Sequence, residues 1–204
     1  MRLIMLGPPG AGKGTQAVRI ADRLGVRHLS TGEMLRAAVQ AETEIGVQVR
    51  VIIEAGALVP DHMVLRIVAD RIDAPDAEAG FVLDGFPRTV GQAEGLDRLL
   101  AERRLQLDAV VEIRVDEDAL LDRILTRATE MAARGEPVRK DDNPETLRRR
   151  LHSYAEETAP LVSYYGGKGL LRSIDGMEQI ETVADKIFQA IGKREQLGGT
   201  VERD

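Results

Sequence analysis

Residues Gly7-Pro8-Pro9-Gly10-Ala11-Gly12-Lys13-Gly14-Thr15 have the spacing GxxxxGK, set directly after an apolar run and directly before a helical pattern. That pattern is built for phosphate. The glycines let backbone N–H groups converge on phosphate oxygens, the helix start adds a favourable dipole, and Lys13 reaches the outer phosphates. Residue 14 is Gly, so the hydroxyl that often follows the lysine stands one place later, at Thr15. Spacing alone therefore leaves a Thr15 contact to magnesium open. Asp84 closes a second apolar run, the position from which a carboxylate holds Mg2+ or its waters beside phosphates. Arginines are the other candidates, because a planar guanidinium binds phosphate bidentately. Arg123 and Arg127 lie four apart on one helical pattern and share a face. Arg148, Arg149 and Arg150 are consecutive, so they cannot all share one.

Other chemistries are excluded or unsupported. There are no cysteines, which removes disulfides, thiolate metal sites and cysteine nucleophiles. His28, His62 and His152 have no ligand spacing and read as surface or packing residues. The 204 residues carry 28 Lys plus Arg against 34 Asp plus Glu, a net charge of −6. That balance, with 3% aromatics and no Trp, argues against nucleic acid as a partner. No apolar run approaches the roughly 18 residues of a membrane span, and MRLIMLGPPG is too short for a signal-peptide core. The expected setting is the cytoplasm, and a monomer is the default.

The elements that position these residues follow from periodicity. Strands are expected at 2–6, 28–30, 81–84, 109–115 and 170–174. Helices are expected at 15–24, 31–40, 43–55, 61–72, 89–104, 116–133, 144–165 and 177–191. Ser30 and Glu33 have capping-box spacing, and Gly25 and Gly56 stand where helix C-terminal caps belong. Asp61, Asp116 and Asn143 stand where N-caps belong, and Pro160 should bend the helix that contains it. Strands alternating with helices predict an α/β fold, a parallel β-sheet flanked by helices on both faces. Two stretches read as insertions: an all-helical one near 30–60 and a short polar one near 127–138.

Five segments in order are more specific than the phosphate loop. GPPGAGKGTQ at 7–16, STGEMLR at 30–36, GALVPD at 56–61, LDGFPRTVGQAE at 83–94 and RKDD at 139–142 resemble the adenylate kinase family. The resemblance runs over residues 1–191 and implies a P-loop NTPase-type core. It also implies transfer of a phosphoryl group from MgATP to AMP, giving two ADP. It makes residues 1–192 a single kinase domain, with an AMP-binding segment at 30–59 and a short lid at 127–138. The polar tail 193–204 is expected to be flexible. The short lid and the absence of cysteine imply no structural zinc.

The resemblance assigns roles residue by residue. Gly10, Ala11, Gly12, Lys13, Gly14, Thr15, Arg123, Arg127 and the turn at Glu178 are expected to hold ATP. Arg36 and Arg88 are expected to hold the AMP phosphate, with Arg139 and Arg150 converging on the transferring group. Thr31, Gln92, Phe86, Pro87, Gly85 and the backbone of Ala57, Leu58 and Val59 are expected around the AMP base. Asp141 and Asp142 should brace lid arginines. Glu33 stands where the family more often has aspartate, with little expected effect. AMP phosphate is already ionised, so the reaction needs no general base. Lys13, Mg2+ and the arginines Arg88, Arg123, Arg139 and Arg150 would supply catalysis by positioning and electrostatics. A UMP/CMP kinase, a GTP:AMP phosphotransferase and a non-catalytic nucleotide-binding module remain open alternatives. A GTPase does not, since no guanine-reading NKxD segment is present.

Overall fold

A computed structural model describes residues 1–135 and 142–192. Five strands, β1 (Arg2–Leu6), β2 (Arg27–Ser30), β3 (Phe81–Asp84), β4 (Ala109–Arg114) and β5 (Leu171–Asp175), form one sheet in the order β2-β3-β1-β4-β5. Every pairing is parallel, with Leu3 opposite Val82 and Ala109, and Leu29 opposite Leu83. The helices are α1 (Lys13–Leu24), α2 (Thr31–Gln40), α3 (Glu44–Glu54), α4 (Asp61–Ile72), α5 (Val90–Glu102), α6 (Glu117–Ala133), α7 (Pro144–Ser153), α8 (Pro160–Gly167) and α9 (Ile180–Gly192).

Strand residues alternate between two cores, as the two-residue side-chain period requires. Leu3, Met5, Val82, Val111 and Ile113 join Ile20 of α1 and Ile187 of α9 on one face. Ile4, Leu6, Phe81, Leu83 and Val110 join Val68 of α4, Leu96 of α5 and Tyr165 of α8 on the other. Both faces are covered, which is why the central strands read as continuous apolar runs. With β1 in the middle of the order, the loop after it emerges at the carboxyl ends of the strands, where ligands of open α/β sheets bind.

Local rules explain most boundaries. Ser30 Oγ accepts from the Glu33 N–H at 3.4 Å, and Asn143 Oδ1 from the Thr146 N–H at 2.9 Å. Two other expected caps differ. Asp116 does stand at the N-cap of α6, but its side chain makes no capping hydrogen bond. Asp61 is the first residue of α4, not its cap, and its carboxylate turns away to α5. The helix expected over 144–165 is interrupted: Tyr154–Thr158 forms a π turn in which the Ala159 N–H reaches Tyr154 O at 2.8 Å. Pro160 has no N–H to continue the tighter ladder, so the chain widens one turn before it and restarts as α8. Residues 127–133 are helical, so the first half of the expected lid segment continues α6.

Candidate active site

The phosphate loop joins β1 to α1. Gly7 has φ 142°, and a Cβ there would lie 2.6 Å from the Ile113 carbonyl oxygen, so the loop can leave the sheet only through glycine. No acidic residue occupies the first turn of α1, and that turn opens into a cleft of about 670 Å³. Gly10, Ala11, Gly12, Lys13, Gly14 and Thr15 all line the cleft, with Thr15 at its exposed mouth. The sequence places an N-terminal dipole and a lysine where they face an anion.

Lys13 folds back over its own loop, donating to Gly7 O at 2.7 Å and Pro8 O at 2.8 Å. Burial lowers its pKa from the ordinary 10.5 to about 7; Asp84 opposes the shift, while Arg88, Arg150 and Arg127 add to it. The sign gives a prediction. A polyphosphate beside Lys13 restores the ammonium, so at pH 8 nucleotide binding takes up close to one proton. Titration calorimetry in buffers of different ionisation enthalpy should show that uptake at pH 8, and should show it fade towards pH 6. A heat independent of buffer at pH 8 would contradict the assignment.

Asp84 ends β3 beside the loop. Burial pushes its carboxyl pKa up, but His28 and the charges of Lys13 and Arg88 outweigh burial and hold it below the ordinary value. A Cβ on residue 14 would come within 3.3 Å of Asp84 Oδ2, so Gly14 keeps the space before the carboxylate open. A hydrated Mg2+, which keeps several of its waters, suits that space. His28 is a correction to the sequence reading: its Nε2 lies 3.5 Å from Asp84 Oδ2, and it lines the cleft.

At the far end of the cleft, Arg123 Nη2 donates to Gly176 O at 2.8 Å and Nη1 to Ala11 O at 3.5 Å, tying the turn after β5 to the phosphate loop. Arg127 is held by both carboxylate oxygens of Asp142, whose side chain is fully buried. Asp142 thus braces Arg127. Glu178 lines the same cleft, and its carboxylate accepts from Lys186 at 2.6 Å. Arg139 and Asp141 lie outside the described residues.

A second cavity adjoins the first. Its walls include Thr31, Arg36, Ala57, Leu58, Val59, Gly85, Arg88, Gln92 and Arg150. Thr31 Oγ1 donates to Asp84 O at 3.3 Å, linking the start of α2 to β3. Gly85 has φ 79°, and a Cβ there would approach Thr31 Oγ1 to 3.0 Å and Arg88 Nη2 to 3.3 Å, so only glycine admits both. Arg88 Nε donates to Gly85 O at 2.8 Å, and its own carbonyl accepts from Thr158 Oγ1 at 2.8 Å. The π turn before Pro160 therefore has a place in the site: it presents Thr158 to the arginine's backbone. Phe86 is only 1% exposed and sits in the core, not in a cavity wall. Pro87 lines a smaller cleft with Leu58, Arg88 and Tyr154.

Two site residues escaped the sequence reading, His28 and Asp61. Asp61 has capping spacing, yet its carboxylate accepts from Thr89 Oγ1 at 3.0 Å and from Gln92 Nε2 at 2.8 Å. No local pattern could have shown either contact, because the partners lie 56 residues away for His28 and 31 for Gln92.

Comparison with known proteins agrees with this geometry. The family pattern described as adenylate kinase matches residues 5–170. An adenylate kinase of Methylobacterium nodulans is 60% identical over 184 residues, covering 90% of this chain and 92% of its own length. One of Azorhizobium caulinodans is 57% identical over 187 residues, covering 92% and 96%. One of Methylobacterium radiotolerans is 54% identical over 196 residues, covering 96% and 98%. A phosphate loop, a buried carboxylate beside it, arginines around two adjoining cavities and this agreement over most of the chain lead to one conclusion: the chain belongs to the adenylate kinase family.

Proposed function

We propose that this adenylate kinase holds MgATP in the large cleft and AMP in the adjoining cavity, and passes the γ-phosphoryl group in line between them, giving two ADP. One observation carries the reading. The two cavities share Gly32, Arg36, Gly85, Arg88 and Arg150, so three arginines stand at their junction. A phosphoryl group crossing that junction meets three cationic forks along its path. Two polyanions repel each other, and arginines fixed between them offset that repulsion before reaction begins. The nucleophile is an ionised phosphate oxygen, so no side chain has to remove a proton. Among the described residues no cluster of three metal-ligating side chains exists. That fits an ion brought in by the nucleotide and met by Asp84 through water, with Thr15 the nearest hydroxyl along the loop. Asp84 would hold the ion's waters there, and the ion would supply neutralising charge to the transferring phosphates. Arg123 and Arg127 orient the donor, and Arg150 stands at the junction; the role expected of Arg139 falls on a residue outside the described ones. Thr31, Gln92 and the backbone at Ala57, Leu58 and Val59 contact the acceptor base.

Chelation tests the metal and the transfer together. With MgATP and AMP, a coupled assay should report rapid ADP formation. Excess EDTA should lower it by at least about 10²-fold, the order expected when several kcal/mol of charge stabilisation is removed. A rate indifferent to EDTA would contradict the proposed role of Mg2+.

A further inference from the structure

Asp61 touches neither cavity, yet it controls what the acceptor cavity presents. Gln92 is 2% exposed and lines the acceptor cavity. Its carboxamide is gripped at both ends: Oε1 accepts from the Arg88 backbone N–H at 2.7 Å, and Nε2 donates to Asp61 Oδ1 at 2.8 Å. A backbone N–H only donates and a carboxylate only accepts, so these two partners determine which end of the amide is oxygen. Asp61 is itself held, since Oδ2 accepts from Thr89 Oγ1 at 3.0 Å while that hydroxyl accepts from the Gln92 N–H at 3.0 Å.

The grip leaves one N–H on Nε2 and one lone pair on Oε1, in a determined order. Adenine offers an acceptor at N1 and a donor at N6, and this order matches it. A 6-oxopurine offers the reverse, a donor at N1 and an acceptor at O6. An amide free to rotate would serve both bases equally well. We propose that Asp61 is a positioning residue for acceptor specificity: by holding Gln92 in one orientation, it makes the cavity read 6-aminopurine nucleotides and reject 6-oxopurine ones. This inference rests on the reading that Gln92 contacts the acceptor base.

Asp61→Asn is the informative change. The Thr89 hydroxyl still needs an acceptor, so the new amide turns its oxygen there and its NH2 towards Gln92. That pushes Gln92 to the flipped orientation, opposed only by the Arg88 N–H. The ratio of kcat/KM for AMP to that for inosine monophosphate should fall about tenfold, corresponding to about 1.4 kcal/mol. Dissociation constants for the two nucleotides, measured by calorimetry, should converge in the same direction. Asp61→Glu keeps a carboxylate and should restore most of the ratio. General loss of structure would reduce both acceptors alike and leave the ratio unmoved. Gln92→Ala separates the two levels of the argument. If it raises the KM for AMP while Asp61→Asn leaves the ratio unchanged, Gln92 reads the base and Asp61 does not orient it. If Gln92→Ala leaves the KM for AMP unchanged, the underlying reading fails and the inference with it. The unsubstituted protein offers a check that needs no variant. In a nucleotide-free nitrogen-15 spectrum, the Gln92 side-chain proton that faces the Asp61 carboxylate should be slow to exchange with water. Exchange as fast as that of an exposed glutamine side chain would overturn the proposal.

Discussion

Arg88→Ala is expected to lower kcat by about 10³-fold, or about 4 kcal/mol of transition-state stabilisation, while the protein stays folded. The expectation follows from where the side chain is held. Its Nε is anchored on Gly85 O, and its guanidinium lines both cavities. On the proposed transfer path it would stand where charge develops, in an orientation set by Gly85 before substrate arrives. Alanine removes this fork but spares the backbone bonds to Gln92 and Thr158, so the loop after β3 keeps its anchors. The KM for AMP should rise as well, because the same fork faces the acceptor phosphate. Steady-state kinetics alongside thermal unfolding will check both parts. A kcat within tenfold of the unsubstituted enzyme would remove Arg88 from the reaction path.

Lys13→Met should cost turnover on a similar scale, about 10³-fold, without a matching loss of stability. Methionine keeps the length and bulk of the side chain and removes the charge that reaches the phosphates. Stability goes the other way. Lys13 is half-buried in the cleft wall with its pKa lowered from 10.5 to about 7, so the folded protein carries the cost of a partly desolvated ammonium. The sign of that linkage is definite. The cost is fully present below pH 7, where both folded and unfolded chains are protonated, and is relieved as pH rises from 7 towards 10.5. The nucleotide-free Lys13→Met protein should therefore melt no lower than the parent at pH 6. Its circular dichroism should be unchanged, and its proton uptake on nucleotide binding at pH 8 should vanish. A variant that is inactive because it is unfolded would contradict this account.

The two predictions rest on residues legible from sequence, and the reason is physical. The phosphate loop and the GFPR segment depend on backbone conformations that only glycine adopts, so Gly7 and Gly85 signal their own geometry. Strand and helix periods announced the sheet, and Pro160 announced a bend in its helix where the structure has a π turn and a fresh start. What was not legible depends on contacts between distant segments. Asp61 stands one residue after a proline at a helix start, which is what a capping residue also looks like. Its actual role emerges only when α4 packs beside α5 and brings Thr89 and Gln92 to it. His28 carries no ligand spacing, yet the pairing of β2 with β3 places it beside Asp84. Phe86 adjoins functional residues in sequence, and in the structure its side chain belongs to the core beneath the loop after β3.

The most direct test of the account is acceptor choice. A coupled assay of ADP formation, run with MgATP and with AMP, dAMP, CMP, UMP and GMP in turn, measures transfer across the arginine junction and reading of the base at once. Strong turnover with AMP, weaker turnover with dAMP and little with the other three is the predicted result. Preference for CMP or UMP would contradict the assignment of Thr31 and Gln92 to an adenine base. Tight MgATP binding with no transfer to any acceptor would contradict the proposed reaction of this chain itself.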